Sequence, residues 1–90
     1  MNNDIGGYKL ITISDEYLLV PVGIEVIKRK GIISINESAA FLWNEMCIDN
    51  DIDRLVKVLK DKYNLDSKIA MNNVTTFIDK LKSANINIVT

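Results

Sequence analysis

The sequence predicts one α+β domain, covering residues 1–90, in which a three-stranded antiparallel sheet is followed by three helices. Two observations support this prediction. The first third of the chain contains runs of β-branched and aromatic residues separated by turn residues, which is typical of short strands. The remainder carries apolar residues at helical spacing, and each helical run follows an Asn or Asp. Because the strands precede all the helices, we expect the helices to cover one face of the sheet.

Three runs in the first third of the chain predict the strands. Tyr8–Ile13 and Tyr17–Val22 form the first two, with a polar turn between them. Pro21 has no backbone N–H for a ladder, so we expect it at a strand end, an edge or a bulge. Residues 24–28 are compatible with an extension of this hairpin. Ile32–Ile35 is the third predicted strand, and it carries neither charge nor proline.

Three helices are predicted after the strands, and each begins at a side chain suited to N-capping. The predicted caps are Asn36, Asp51 and Asp66. Asn85 follows the last helix, where a left-handed residue often ends the helix, and residues 86–89 are compatible with a short tail strand. The apolar positions that trace one face of each helix are Ala39, Leu42, Trp43 and Met46, then Ile52, Leu55, Val56, Leu59 and Tyr63, then Ala70, Val74, Phe77, Ile78 and Leu81.

The residue inventory argues against an enzyme. The chain has no histidine and a single cysteine, Cys47, so a Ser-His-Asp triad cannot be assembled and a tetrahedral zinc site has almost no ligands to draw on. None of the glycines belongs to a phosphate-binding loop. We therefore expect no catalytic residue, no metal and no cofactor. We expect Cys47 and Trp43 to lie in the core.

The chain shows no targeting or membrane segment. It begins without a basic stretch followed by an apolar run, so no conventional signal peptide is recognised. No apolar stretch approaches the roughly 20 residues that a membrane-spanning helix needs. A lone cysteine in so small a chain fits a reducing compartment. We therefore expect a cytoplasmic protein that does not contact a membrane.

A resemblance to a known family runs through nearly the whole chain. The segment Ser34–Trp43, SINESAAFLW, resembles the LNETAAFIW stretch of the PqqD family, and Glu16–Gly23 looks like that family's strand eyvLvPvG. The resemblance covers Tyr8 to Ile86. Three later segments also resemble family segments: Asp51–Leu55, Lys62–Asp66 and Val74–Leu81.

The resemblance implies both a fold and a function. PqqD-like domains have a winged-helix-like arrangement of three antiparallel strands and three helices, in agreement with the order of elements above. They act as RiPP recognition elements in natural product biosynthesis. The resemblance thus implies a non-catalytic peptide chaperone that binds the leader segment of a ribosomally made precursor peptide and presents it to a modifying enzyme. That enzyme is a radical-SAM protein, a leader protease or another maturase.

The resemblance also implies where the peptide binds. Family members take the leader as an extra β-strand along the third strand, in a groove beside the third helix. On this chain the candidate peptide-binding residues are Ile32, Ile33, Ser34, Ile35, Met71, Val74, Thr75 and Ile78. Alternation places Ile33 and Ile35 on one face of the strand and Ile32 and Ser34 on the other, and leaves open which pair faces the peptide. From pattern alone, an uncharged apolar strand is more often central than an edge.

Two other functions remain open. A winged-helix-like fold also suits a DNA-binding regulator, but the net charge of −1 and the absence of arginine from the third predicted helix argue against nucleic acid as a partner. The chain is alternatively an accessory subunit that docks on the modifying enzyme without binding peptide. The basic run Lys28–Lys30 is either a solvated turn or a patch that attracts an acidic leader.

Overall fold

The computed structural model describes residues 4–23 and 31–86, and within them the predicted α+β fold class is confirmed. A four-stranded antiparallel sheet is followed by three helices. The strands are β1 (Asp4–Ile5), β2 (Tyr8–Ile13), β3 (Glu16–Pro21) and β4 (Ile33–Ile35). The helices are α1 (Glu37–Ile48), α2 (Ile52–Tyr63) and α3 (Ser67–Ser83). The predicted hairpin extension over 24–28, the basic run Lys28–Lys30 and a tail strand after residue 86 lie outside the described residues.

The strand β1 was not predicted, and it exists because of a two-residue glycine turn. Gly6 and Gly7 have φ values of 56° and 81°, and they join β1 to β2. Ser14 and Asp15 repeat this arrangement between β2 and β3, with φ values of 46° and 66°. Two successive positive φ values are typical of the type I′ turn, whose twist matches that of antiparallel strands. Each of these two turns thus sets the register of a hairpin.

The three helix N-caps are confirmed as predicted. In each case a side-chain oxygen accepts a hydrogen bond from a backbone N–H in the first turn, a group that has no partner within the helix. The pairs are Asn36 Oδ1 with Ala39 N at 2.8 Å, Asp51 Oδ1 with Asp53 N at 3.1 Å, and Asp66 Oδ1 with Ile69 N at 2.9 Å. The cap of α1 matters most for the site, because Asn36 follows β4 directly.

The end of α3 is closed as predicted by Asn85, which has a φ of 61°. Its N–H donates to Lys82 O at 3.0 Å, and Ile86 N donates to Leu81 O at 3.0 Å. This pair of bonds is the Schellman motif, in which a left-handed residue reverses the chain at the helix end. The reversal carries Ile86 back to the core, where it is 2% exposed.

One core joins the inner face of the sheet to the three helices. Trp43, Leu19 and Leu55 are each 0% exposed, and the predictions that Trp43, Phe77 and Leu81 belong to the core are confirmed. Cys47 differs from expectation, since it is half-buried and packs against this core from outside. The buried members are Tyr8, Leu19, Ile35, Ala40, Leu42, Trp43, Met46, Leu55, Leu59, Ala70, Val74, Phe77, Ile78, Leu81 and Ile86.

Arg54 ties α2 to the end of α1. Its Nη1 donates to Glu45 O at 3.1 Å and to Asp49 O at 3.0 Å, and its Nη2 forms an ion pair with Glu45 Oε1. Glu45 O also accepts the N–H of the C-cap residue Asp49 at 3.0 Å, whereas the C=O of Asp49 lies beyond the bonding of the helix. One guanidinium therefore satisfies this helix end and fixes the position of α2 relative to α1.

Candidate functional site

The strand β4 lies at the edge of the described sheet. The strand order is β1-β2-β3-β4, so β4 pairs with β3 on one side and with no other strand of the described residues. The register places Tyr17 opposite Ile35, Leu18 opposite Ser34, and Leu19 opposite Ile33. The pattern of Ile32–Ile35 alone favoured a central strand. Within the described sheet the edge position holds instead, as the family resemblance implied.

The hydrogen bonding of β2 with β3 determines which way the backbone of β3 points. Val22 N donates to Gly7 O at 2.8 Å, so these two opposed residues form a hydrogen-bonded pair. Such pairs alternate along antiparallel strands. Leu18 lies four residues before Val22, and its partner Ile11 lies four residues after Gly7. Because four is an even number, Leu18 and Ile11 also form a hydrogen-bonded pair. The backbone N–H and C=O of Leu18 therefore point towards β2. Pro21 is paired with Tyr8, which is a non-hydrogen-bonded position between β2 and β3, so the lack of an N–H at Pro21 breaks no bond to β2.

The same alternation fixes the free groups of β4. Ser34 lies opposite Leu18, whose backbone groups are directed to β2, so Ser34 and Leu18 are a non-hydrogen-bonded pair. The N–H and C=O of Ser34 consequently point away from the sheet, while Ile33 and Ile35 pair with β3. The Ile35 side chain is 6% exposed in the core, Ile33 is half-buried on the same face, and Ser34 is exposed on the opposite face.

A lysine from α3 reaches this free edge. Lys80 Nζ donates a hydrogen bond to Ser34 O at 3.2 Å, across 46 positions of sequence. The acceptor is the carbonyl that the strand alternation directs outward. The contact shows independently that Ser34 O is accessible from outside the sheet, and that the side of α3 carrying Lys80 runs beside β4.

A cleft of about 150 Å³ opens where β4 passes into α1 and faces α3. Its floor is apolar and its rim is polar, and Lys80 is the charged residue among those that line it. The lining residues are Ala39, Leu42 and Phe77 on the floor and Asn36, Ser38, Asn73, Thr76 and Lys80 on the rim. A floor of buried side chains under a polar rim suits one side chain of a ligand that needs both apolar contact and hydrogen bonds.

The helical residues predicted for the groove lie in two places. Val74 and Ile78 are 1% and 5% exposed, so they pack in the core and support the wall from within. Met71 and Thr75 are exposed, and they lie on the side of α3 away from Lys80. Nine positions separate Met71 from Lys80, which is about two and a half helical turns, so the two side chains leave the helix on opposite sides. Met71 and Thr75 instead line an open depression on the surface of α3.

The candidates chosen from the sequence did not include the flank of α3 that carries Asn73, Thr76 and Lys80, which lies beside β4. These residues follow one another at helical spacing beside the apolar stripe, so their common position was available as a signal. The stripe has two flanks, however, and only the packing of α3 against β4 decides which flank borders the sheet edge. Ile32 also departs slightly from expectation, since it precedes β4 and is 62% exposed.

The described residues were also compared with the requirements of a metal site and of a reactive thiol. Among them, no group of three His, Cys, Asp or Glu side chains is placed to hold a metal ion. Burial raises the pKa of the Cys47 thiol above its ordinary value of 9.0, and the charge of Asp4 raises it further, which disfavours the nucleophilic thiolate. The helices that the structure describes include none with the length and apolar character to cross a membrane.

The comparison with protein families agrees with this geometry. The family described as "Coenzyme PQQ synthesis protein D (PqqD)" matches residues 18–86, about three quarters of the chain. The match begins within β3 and takes in β4, the cleft and all three helices. Comparisons with curated proteins and with solved structures gave no match. The chain belongs to the PqqD family, the family of RiPP recognition elements.

Proposed function

We propose that this protein is a non-catalytic peptide chaperone, which binds the leader segment of a ribosomally made precursor peptide by β-strand addition. The observation that carries the proposal is the free edge of β4, where the N–H and C=O of Ser34 point outward beside α3. Strand addition requires such an edge. Membership of the PqqD family supports a role in the biosynthesis of coenzyme PQQ or of other modified ribosomal peptides.

The backbone contribution of this edge is small. A docked strand accepts a hydrogen bond from Ser34 N and donates one to Ser34 O, and two such bonds contribute about 1–3 kcal/mol in total. Micromolar affinity requires about 8 kcal/mol. Side-chain contacts must therefore supply most of the binding free energy, and Ser34 chiefly sets the position and direction of the peptide.

The surroundings of β4 offer those side-chain contacts. Ile32 is 62% exposed and Ile33 is half-buried, so both have apolar surface that a peptide covers. On the helical side, the flank of Asn73, Thr76 and Lys80 forms the wall that we propose for the groove. A strand docked between these surfaces alternates its side chains between the outer face, near Ile32, and the cleft.

The proposed partners are the leader peptide and the enzyme that modifies the precursor, which is a radical-SAM protein, a leader protease or another maturase. The domain itself performs no chemistry and raises the local concentration of the core peptide at the enzyme. We place this activity in the cytoplasm, where Cys47 stays reduced.

The test is a titration of a fluorescently labelled leader peptide, taken from the short precursor encoded beside the modifying enzyme. Fluorescence anisotropy with increasing protein is expected to show binding at or below micromolar concentrations, and a scrambled peptide is expected not to bind. A folded protein that binds neither peptide overturns the proposal. Capture of the enzyme without peptide binding then favours the accessory subunit. Duplex DNA binding that falls steeply with salt favours the regulator.

A further inference from the structure

We propose that Lys80 is a displaceable cover of the docking edge and that it selects leader peptides with a carboxylate side chain at the position entering the cleft. This inference rests on the proposed function and adds a chemical preference to it. Three features of the described residues support it: the bond of Lys80 to the edge, the chemistry of the cleft, and the size of the cleft.

Lys80 occupies the place that a docked strand needs. Its ammonium lies 3.2 Å from Ser34 O, on the outward side of β4, where the N–H of an added strand must approach. A carbonyl has a second lone pair, but the backbone of an added strand takes the space beside the edge. Peptide docking therefore moves the Lys80 head group away from Ser34 O, and the ammonium loses this acceptor.

Among the described residues that line the cleft, the displaced ammonium finds no anionic partner. The residues that line the cleft beside Lys80 are uncharged, and they include Asn36, Asn73 and Thr76. The acidic residues nearest in sequence to the rim, Glu37 and Asp79, are not among the lining residues. An ammonium group is strongly hydrated, so it loses favourable contacts when it moves into this space. A carboxylate side chain of the bound peptide replaces those contacts with a charge-assisted hydrogen bond.

The dimensions of the cleft fit one such side chain. Its volume of about 150 Å³ is that of several water molecules, and Leu42 and Phe77 supply a floor for methylene groups. An aspartate or glutamate entering from the docked strand can thus place its aliphatic part on the floor and its carboxylate at the rim, within reach of Lys80.

The first experiment uses a phage-displayed library of random linear peptides, selected separately on the wild-type protein, Lys80→Met and Lys80→Glu. Acidic residues at one fixed position are expected in peptides selected by the wild type. That enrichment is expected to vanish with Lys80→Met and to turn into a preference for Lys or Arg with Lys80→Glu. The same enrichment on all three proteins overturns the inference.

The second experiment compares a selected acidic peptide with its matched amide, in which Asp is replaced by Asn or Glu by Gln. The wild type is expected to bind the amide peptide about 3- to 10-fold more weakly, as for a partly desolvated ion pair. Lys80→Met is expected to bind both peptides equally. It should also bind the amide peptide at least as tightly as the wild type does, because Ser34 O is no longer covered. Discrimination that persists in Lys80→Met contradicts the role of Lys80.

Two controls separate this inference from the proposed function. Thermal unfolding of Lys80→Met should match the wild type, since Lys80 is exposed and its Ser34 contact is the only tertiary bond it makes within the described residues. Binding of each selected peptide is also measured to Ser34→Pro. Peptides that lose binding there but show no acidic preference overturn the role of Lys80 alone. If no selected peptide depends on Ser34, docking on β4 fails as well.

Discussion

Leu18 and Ser34 face each other across β3 and β4 without exchanging backbone hydrogen bonds. The N–H of Ser34 is therefore outside the pairing that holds β4 to the sheet, and it can be removed without breaking that pairing. This relationship separates the stability of the domain from its proposed ligand binding.

Ser34→Pro is expected to abolish leader binding while the domain stays folded. Proline removes the outward N–H and places its ring where a docked strand runs, and proline is tolerated at an edge position of this kind. The expected change in the free energy of unfolding is less than about 1 kcal/mol. Anisotropy titration and urea unfolding measure the two effects on the same samples. Ser34→Ala, which keeps the N–H, should bind like the wild type.

Ile33→Pro is the matched control for the direction of the backbone. Ile33 uses its N–H in pairing with β3, so proline there removes a ladder hydrogen bond and is expected to lower the free energy of unfolding clearly more than Ser34→Pro does. If Ser34→Pro destabilises the domain as much as Ile33→Pro does, the assignment of Ser34 to the outward phase is wrong.

Arg54→Met is expected to lower the free energy of unfolding by about 1–2 kcal/mol. The change removes the Arg54 donor to the Asp49 carbonyl, one of the two donors to the Glu45 carbonyl, and the ion pair to the Glu45 side chain. Arg54→Lys keeps the charge but cannot reproduce the forked contacts, so we expect it to recover only part of the loss. Urea denaturation of the three proteins provides the measurement. Equal stability of Arg54→Met and the wild type would contradict a role for Arg54 in joining α1 to α2.

Tyr63→Phe is expected to raise the free energy of unfolding by about 1 kcal/mol. The Tyr63 hydroxyl is buried without a hydrogen-bond partner among the described residues, and such a group is costly to desolvate. The ring is retained, and with it the edge contact to Phe41 at a centroid distance of 6.0 Å. Tyr63→Leu serves as the control and should be less stable because it loses that contact. A fall in stability on Tyr63→Phe would reveal a hydrogen bond to the hydroxyl.

The domain is expected to lose stability as the pH rises into the alkaline range. Burial raises the pKa of Cys47 above its ordinary value of 9.0, and the charge of Asp4 raises it further. Burial likewise raises the pKa of Tyr63 above its ordinary value of 10.0, with smaller contributions from Glu37 and Tyr17. The folded state thus holds protons that the unfolded chain has released. The resulting loss of stability begins near the unfolded pKa values and is complete above the folded ones.

Urea unfolding at a series of pH values between neutrality and the alkaline range measures this loss. Cys47→Ala should flatten the first part of the decline and Tyr63→Phe the later part, since each variant removes one titrating group. An unchanged pH profile in both variants would contradict the assignment of the decline to Cys47 and Tyr63.

The helices and their caps could be predicted from the sequence because their signals are local. Asn36, Asp51 and Asp66 each bond a backbone N–H two or three residues away, so the capping chemistry is contained in a few adjacent positions. Asn85 could be assigned in the same way, because asparagine tolerates the left-handed conformation that ends α3. These predictions needed no knowledge of the tertiary arrangement.

The site could be predicted only in part, because it depends on contacts distant in sequence. Alternation correctly grouped Ile33 with Ile35, yet their direction towards the core follows from the order of strands. A charge at Ile35 cannot test peptide binding, because the side chain is 6% exposed and a carboxylate there would unfold the domain. The contact of Lys80 with Ser34 spans 46 positions, and no local pattern indicates it.

The brevity of β4 bears on how this protein avoids self-assembly. Fibril growth by edge pairing needs a run of unpaired backbone groups, and sheet proteins commonly protect their edges by making them short or by placing lysines there. Within the described part of the sheet, Ser34 is the one residue of the three in β4 whose backbone groups point outward, and Lys80 covers its carbonyl. The edge can therefore bind one extended peptide. It offers a second copy of the chain too few unpaired N–H and C=O groups for strands to add one after another into a fibril.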